Sequence, residues 1–483
     1  MLPPSGAAGG LLAAADTIDI PVMVRWGPLA PQRRPRRTTI DGVWAPWPGL
    51  PMPPTGQYLV RTTWRDVLDA ATCVGRDPIA WLTAVPQLAY AEIVARCSPL
   101  IAYLGRTPHH GGPVPGAHQL QANVVYQHGT ESSALGTFGY RLGMTMAEWA
   151  GQALLRLGPT VHAEAVPPVH AGPGWTTAAG LPDLVAYRPG SSLPWLIEAK
   201  GRRRLGLPDL RKGATQLLRP GLMIGPHVRM LCGTSVEHRV FVTLDLEHVK
   251  LSPASVPTGG PDTSDPDADD VLALARARML TYLLLRGTPT AQLRVTPVGE
   301  SVAQPRSART AGAVLLLESD PSTGLAREDA RMPDRYRSRP PQQRFDLLTA
   351  RVPGTDLILG MSRRLFAACE QVAATDQALA AVVSDEVSMP DGDSDAVDAD
   401  VDLERDQWRA RSEGLYWQLQ RQQRQALASR VRARFDQGEQ AGWEELINAQ
   451  PPLIDGPPSG YLEAATADTY LAVHRRTATQ ASG

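Results

Sequence analysis

From Gly180 to Gly201 the chain reads Gly-Leu-Pro-Asp183-Leu-Val-Ala-Tyr187, then a turn, then Trp195-Leu-Ile-Glu198-Ala-Lys200-Gly201. No other stretch restricts the fold as tightly. Two short apolar runs flank Pro189-Gly190-Ser191-Ser192, a strong reversal signal, so the segment predicts two strands joined by a turn. Side chains alternate between the two faces of a strand. Glu198 and Lys200 are therefore expected on one face, with Trp195, Ile197 and Ala199 packed on the other. Asp183 enters the preceding strand, whose Leu184 and Ala186 point away from it. Pairing across the turn brings Asp183 close to Glu198.

Two carboxylates converging from adjacent strands make a hard-oxygen site suited to Mg²⁺. A lysine on the same face can orient or deprotonate an attacking water, or stabilise developing negative charge. The competing reading is an ordinary edge strand whose Glu and Lys form a solvated ion pair of little energetic value. Pro-Asp alone does not decide between them, since it recurs at Asp209, Asp262, Asp267, Asp334 and Asp391. The acid placed two residues before a lysine is more telling. Lys200, Lys212 and Lys250 are the only lysines among 48 basic residues, and the other two are preceded at that offset by Leu210 and His248.

Pro182-Asp183 and Glu198-Ala199-Lys200 together resemble the motif of the PD-(D/E)XK nuclease superfamily, which includes many restriction endonucleases and repair nucleases. The resemblance covers roughly residues 130–250. It implies an α/β fold with a restriction endonuclease-like core, a mixed sheet flanked by helices, and here largely helical accessory regions around it. It implies Mg²⁺, with Mn²⁺ as a substitute, held by Asp183, Glu198 and the carbonyl of Ala199. It implies DNA as the substrate, because the superfamily acts mostly on DNA, with defence against foreign DNA or DNA repair as the setting. The family often adds a glutamate from the preceding helix. Glu148 is the nearest candidate, although its place opposite the Met146–Trp149–Ala153 stripe suits a solvated helix glutamate as well. A polar residue from the following helix is also common, and Lys212 and Gln216 stand one turn apart there. Arg202, Arg203 and Arg204 directly follow the motif strand, where they suit either phosphate contact or a solvated turn.

The rest of the chain sets the context. With 48 Lys+Arg against 49 Asp+Glu the net charge is −1, so any nucleic-acid contact must come from a local patch. Cys73, Cys97, Cys232 and Cys369 form no CxxC pair, which predicts a reducing, cytoplasmic setting. No run approaches the apolar length of a membrane span. The expected organisation is a Pro/Gly-rich N-terminal and helical accessory region at 1–124 and a nuclease-like domain at 125–255. An acidic linker at 256–270, a mixed α/β accessory domain at 271–387, a second acidic linker at 388–406 and a C-terminal helical region at 407–483 follow. Expected elements include helices at Thr130–Leu157, Leu207–Leu218 and Val271–Leu285. Strands are expected at Thr160–Val166, Leu181–Arg188, Pro194–Lys200, Val228–Cys232, Arg239–Leu244 and Gly312–Leu317. The glycines at 136, 139 and 143 make a break in the first helix plausible.

Other signals fall away. Asp391, Asp393 and Asp395 imitate an EF-hand loop, but Ala396 and Asp402 stand where its glycine and glutamate belong. His109-His110 lacks a further ligand at suitable spacing. No P-loop, HExxH or GxSxG pattern occurs. The Arg/Gln-rich stretch after 406 is a candidate for a protein partner or a homo-oligomer contact, with internal packing as the plainer role. Against the nuclease stands a non-catalytic adaptor that keeps the fold and binds nucleic acid or protein.

Overall fold

The computed structural model describes residues 12, 16–29, 52–75, 82–83, 85–108, 118–164, 168, 170–176, 180–237, 239–250, 266–298, 345–386, 398–450, 452–455, 461–465 and 467–474. β1 (Thr17–Trp26) pairs antiparallel with β2 (Gly56–Thr63), and α1 (Trp64–Cys73) follows at once. Its first turn is closed by a reciprocal cap: Thr63 accepts from the Asp66 N–H, and the Asp66 carboxylate accepts from the Thr63 N–H. Then come α2 (Ala89–Tyr103), β3 (Leu104–Pro108), β4 (His118–Ala122), the short α3 (Val124–His128) and the long α4 (Ser132–Ala153). β5 (Val161–His162), β6 (Leu184–Ala186), β7 (Trp195–Arg202), α5 (Leu207–Leu217), β8 (His227–Ser235) and β9 (Phe241–Val249) complete this part.

These strands form one mixed sheet in the order β3-β4-β1-β9-β8-β7-β6-β5, with β2 paired on β1. β5 pairs antiparallel with β6 and β6 antiparallel with β7, whereas β7 and β8 are parallel and β9 lies parallel to β1. The parallel step needs a crossover, which α5 supplies. Strand alternation then sorts the two faces. Leu184, Ala186, Trp195, Ile197 and Ala199 share a core with Met146, Ala147 and Ala150 of α4. Val185, Leu196 and Leu231 share the opposite core with Leu210, Ala214 and Leu217 of α5.

The α4 glycines do not break the helix, which runs unbroken over 22 residues. They let it lie against strand backbone. A Cβ on Gly139 would stand 2.9 Å from the Gly201 carbonyl oxygen, and one on Gly143 would stand 2.7 Å from the Gly201 nitrogen. The expected apolar stripe is buried at Phe138, Leu142, Met146, Trp149 and Ala153. The helix stops at Ala153 rather than Leu157, and the chain turns through Arg156, whose φ of 57° is left-handed.

Beyond lie α6 (Pro266–Ala277), α7 (Met279–Gly287), β10 (Arg294–Val298), β11 (Phe345–Arg351), β12 (Leu357–Met361), α8 (Arg363–Glu386), α9 (Asp398–Gly438), α10 (Trp443–Ile447), β13 (Leu453–Ile454), β14 (Tyr461–Ala465) and β15 (Thr469–His474). Their strands make a second sheet, ordered β13-β10-β11-β12-β15-β14.

The α/β class with a mixed sheet and flanking helices is thus observed. The flanking regions are less helical than expected. β1 to β4, from the region before residue 125, belong to the same sheet as β7, so the break expected at 124 falls inside one sheet. The region after 407 contributes three strands, β13 to β15, as well as helix. The helix expected at Val271–Leu285 begins earlier, at Pro266, and is interrupted at Arg278, whose guanidinium turns to hold Asp69 at 2.8 and 3.0 Å. Leu427, Val431 and Phe435 of α9 are buried in the main core, which fits the internal-packing role. Among the described residues no helix is long and apolar enough to cross a membrane. The four cysteines are buried and none is disulfide-bonded. His109-His110, Gly312–Leu317 and Asp391–Asp395 lie outside the described residues.

Candidate active site

β6 ends where the chemistry-bearing residues begin. Its last pair with β7 is Leu184 with Ile197, so Asp183 and Glu198 are the first residues past the ladder. There a side chain takes over from backbone: the Ala199 N–H donates to Asp183 Oδ2 at 2.8 Å. A strand residue directs its N–H and C=O to the same neighbour. The Ala199 carbonyl therefore also faces this fork, on the side from which β6 has departed.

Glu198 and Lys200 lie on the α5 face as their spacing requires, and the Lys200 ammonium donates to Glu198 Oε1. The Glu198 side chain is fully buried and that of Lys200 is 15% exposed. The solvated edge-strand pair is thereby excluded, since this pair is held away from water. Glu198 Oε2 is buried with no hydrogen-bond partner. A buried carboxylate oxygen in that condition costs free energy unless something satisfies it.

The electrostatics point the same way. Burial pushes the Glu198 carboxyl up to about 8, and the neighbouring Asp183 charge adds to the rise against the pull of Lys200. Burial also raises Asp183, opposed by Lys200, the Ala199 N–H and His162. Two close carboxylates in a dry site resist ionising together.

Helix α5 closes over the pair. A Cβ on Gly213 would meet Glu198 Cγ and Lys200 Cε at 3.3 Å each, so the glycine sets how near the helix comes. Gln216 lies one turn further on, and its Oε1 is a second buried oxygen without a partner. Lys212 is exposed on the same helix.

Glu148 is not the solvated helix residue that its place off the apolar stripe suggested. It is fully buried, and its carboxylate accepts from the Thr160 N–H at 3.1 Å and from the Gln152 amide. Burial raises its pKa, and the Arg278 charge opposes the rise. It belongs to α4, on the face of the sheet opposite Glu198 and Lys200, and its oxygens are already engaged. Arg202, which ends β7, and Arg203 and Arg204 after it are exposed, but two have acidic partners: Arg202 with Asp209 at 3.3 Å, and Arg204 with Glu237.

Two neighbours of Asp183 were not anticipated. His162 pairs across the sheet with Leu184, beside Asp183, and its ring nitrogen stands 3.9 Å from Glu164. Burial raises the phenol pKa of Tyr140 on α4, and the Asp183 charge adds to the rise against the pull of Arg141. β5 is two residues long, too short to align His162 by pattern. Tyr140 did carry a signal, as an aromatic residue off the buried stripe.

No family model, curated protein or solved structure matches the chain. The reading of the site therefore rests on its own chemistry. Among the described residues no three His, Cys, Asp or Glu side chains gather in metal-ligand geometry. The fork offers two carboxylates, one with an unsatisfied oxygen, beside a backbone carbonyl. That set fits Mg²⁺, which keeps several waters and takes only one or two protein carboxylates, with substrate phosphate completing its shell.

Proposed function

We propose that this chain is a Mg²⁺-dependent nuclease that hydrolyses DNA phosphodiester bonds at the β6–β7 fork. The observation that carries this reading is the buried Glu198 carboxyl, with Asp183 on one side, Lys200 on the other and Oε2 unsatisfied. Asp183, Glu198 and the Ala199 carbonyl would hold the cation, and Mn²⁺ would substitute for it. When bound, the ion supplies positive charge against the charge that develops on a phosphoryl group in flight. Asp183 fixes the Ala199 amide and so the direction of its carbonyl. Lys200 is close enough to the carboxylates to orient a water and to donate to a phosphate oxygen. Gln216 and Lys212, from α5, stand as a further positioning residue and a phosphate contact. Arg203 is the strongest backbone contact of its cluster, since Arg202 and Arg204 have carboxylate partners.

The test is nicking or linearisation of supercoiled plasmid in Mg²⁺. Asp183→Ala and Lys200→Ala should each slow it on the order of 100-fold or more. Cleavage untouched by both changes would refute the site.

A further inference from the structure

Arginines in this fold are commonly tied to carboxylates, as Arg25 is to Asp245 and Arg61 to Asp19. The cations of α5 and its end are different. Among the described residues Arg211, Lys212 and Arg219 have no carboxylate partner, and Arg219 Nη1 is buried without a hydrogen bond. The packing of α5 sets their place. Leu210, Gly213, Ala214 and Leu217 are buried, while Pro208, Arg211, Lys212 and Thr215 are exposed. Arg219 stands just past the C-cap, Leu218, whose backbone is still helical. Positions three, four and seven apart share a helix flank, so Lys212, Gln216 and Arg219 follow one another along it. One end of this flank borders the fork. The Cβ position of Gly213, next to Lys212, lies 3.3 Å from Glu198 Cγ and from Lys200 Cε. The other end leads away, because α5 must return the chain to the start of β8, which is parallel to β7. At 1.5 Å per residue, Lys212 and Arg219 are about 10 Å apart along the axis.

Three unpaired cations on one short helix, in a chain of net charge −1, make a local positive strip that suits a ligand with repeated negative charge. We propose that the outer flank of α5 holds successive phosphates of the strand that enters the fork and does not read its bases, so that the site takes DNA of any sequence. Lys212 takes the phosphate nearest the fork and Arg219 the farthest, with Arg211 widening the strip toward solvent. Ammonium and guanidinium groups match phosphate oxygens as donors. Telling the base pairs apart draws on amides and carboxylates as well. The flank has little of either to offer. Gln216 keeps its amide oxygen buried, and the Thr215 hydroxyl already donates to the Arg211 carbonyl. Asp209, the acid of α5, is engaged by Arg202 and by the Gly206 N–H. This inference rests on the nuclease reading for where the strand leads, but its test does not need cleavage.

The test uses the full chain in EDTA and measures, by fluorescence anisotropy, its binding to labelled DNA duplexes of unrelated sequence over a series of salt concentrations. Wild type should bind all of them alike, with affinity that falls steeply as salt rises. Each phosphate contact contributes about 0.9 to the slope of log affinity against log salt. The triple variant Arg211→Gln, Lys212→Gln, Arg219→Gln should therefore lose about 2 to 3 from that slope and bind on the order of 100-fold more weakly at low salt. Arg286→Gln with Arg430→Gln, two exposed cations elsewhere in the fold, should leave both quantities unchanged. Thermal melts of the triple variant should match wild type, since its side chains hold no partner in the fold. An unchanged slope in the triple variant would overturn the inference, as would a strong preference of wild type for one sequence or no binding to any. If plasmid cleavage survives Asp183→Ala and Lys200→Ala while the triple variant still loses binding, the flank stands and the nuclease site fails. If those two changes abolish cleavage while the triple variant binds as wild type does, the site stands and the flank fails.

Discussion

Glu198→Gln is expected to abolish cleavage and at the same time to stabilise the ion-free protein at alkaline pH. The loss of activity follows from removing a carboxylate from a site that has only two, and should be on the order of 100-fold or more. The gain in stability follows from burial. The folded-state pKa stands at about 8, raised by desolvation and then by Asp183. The unfolded value is about 4.3. Between these limits the folded protein keeps a proton that the unfolded chain has released. The contribution of Glu198 is fully present below about pH 4 and is lost as pH rises toward 8, at about 1.4 kcal/mol per pH unit. Glutamine carries no such proton, so the variant should gain on wild type from pH 5 to pH 8 in denaturant titrations in EDTA. Parallel curves would show that Glu198 is already ionised in the ion-free fold. Mg²⁺ should reverse the ranking by stabilising wild type alone, with proton release seen as a buffer-dependent heat of binding.

Gly201→Ala should be the most damaging single methyl in the described chain. The added Cβ would overlap the Gly139 carbonyl oxygen and stand 2.8 Å from the Gly143 nitrogen. Helix backbone cannot step aside as a side chain would, so α4 or β7 must move. A loss of about 3 kcal/mol or more is expected, at or beyond the usual upper range for overpacking. Lys200 immediately precedes the clash, so activity should fall even in molecules that still fold. Gly136→Ala is the counterpart on the same helix. Nothing lies within 4 Å of its Cβ position, and the change should stabilise by about 0.5–1 kcal/mol. A melt in which both variants behave alike would mean that α4 and β7 do not pack as closely as described.

The pairing across the turn and the shared face of Glu198 and Lys200 were legible because a period of two and a turn signal are local properties. The strand extents were less so. β6 was expected to run from Leu181 to Arg188 and pairs only over Leu184–Ala186, because it peels away at Asp183 to make the fork. Composition misled at both ends. Ile18, Ile20, Val22 and Val24 alternate cleanly and are all buried, yet Pro21 and the neighbouring Pro/Gly-rich sequence hid β1 from a reading by segment. Nothing local says that this strand joins β9. Glu148 shows the converse limit. Helical periodicity placed it off the main stripe, and it is buried all the same, because α4 is covered by β7 on one side and by α1 on another. The α4 glycines read as weakness in a helix considered alone; only the strand beside them gives them a reason.

The pairing of β1 with β9 bears on how the chain comes to be folded. Arg25 and Asp245, joined at 2.7 Å in the finished sheet, are 220 positions apart. Contacts so distant in sequence make folding slow. At ribosomal speeds of about 5–20 residues per second, the β1–β2 hairpin waits on the order of ten seconds or more for its neighbour to be synthesised. Throughout that interval one border of β1 presents open amide and carbonyl groups that any passing strand can join. Yield on overproduction should therefore respond to slower synthesis and to holding chaperones more than to changes at the fork.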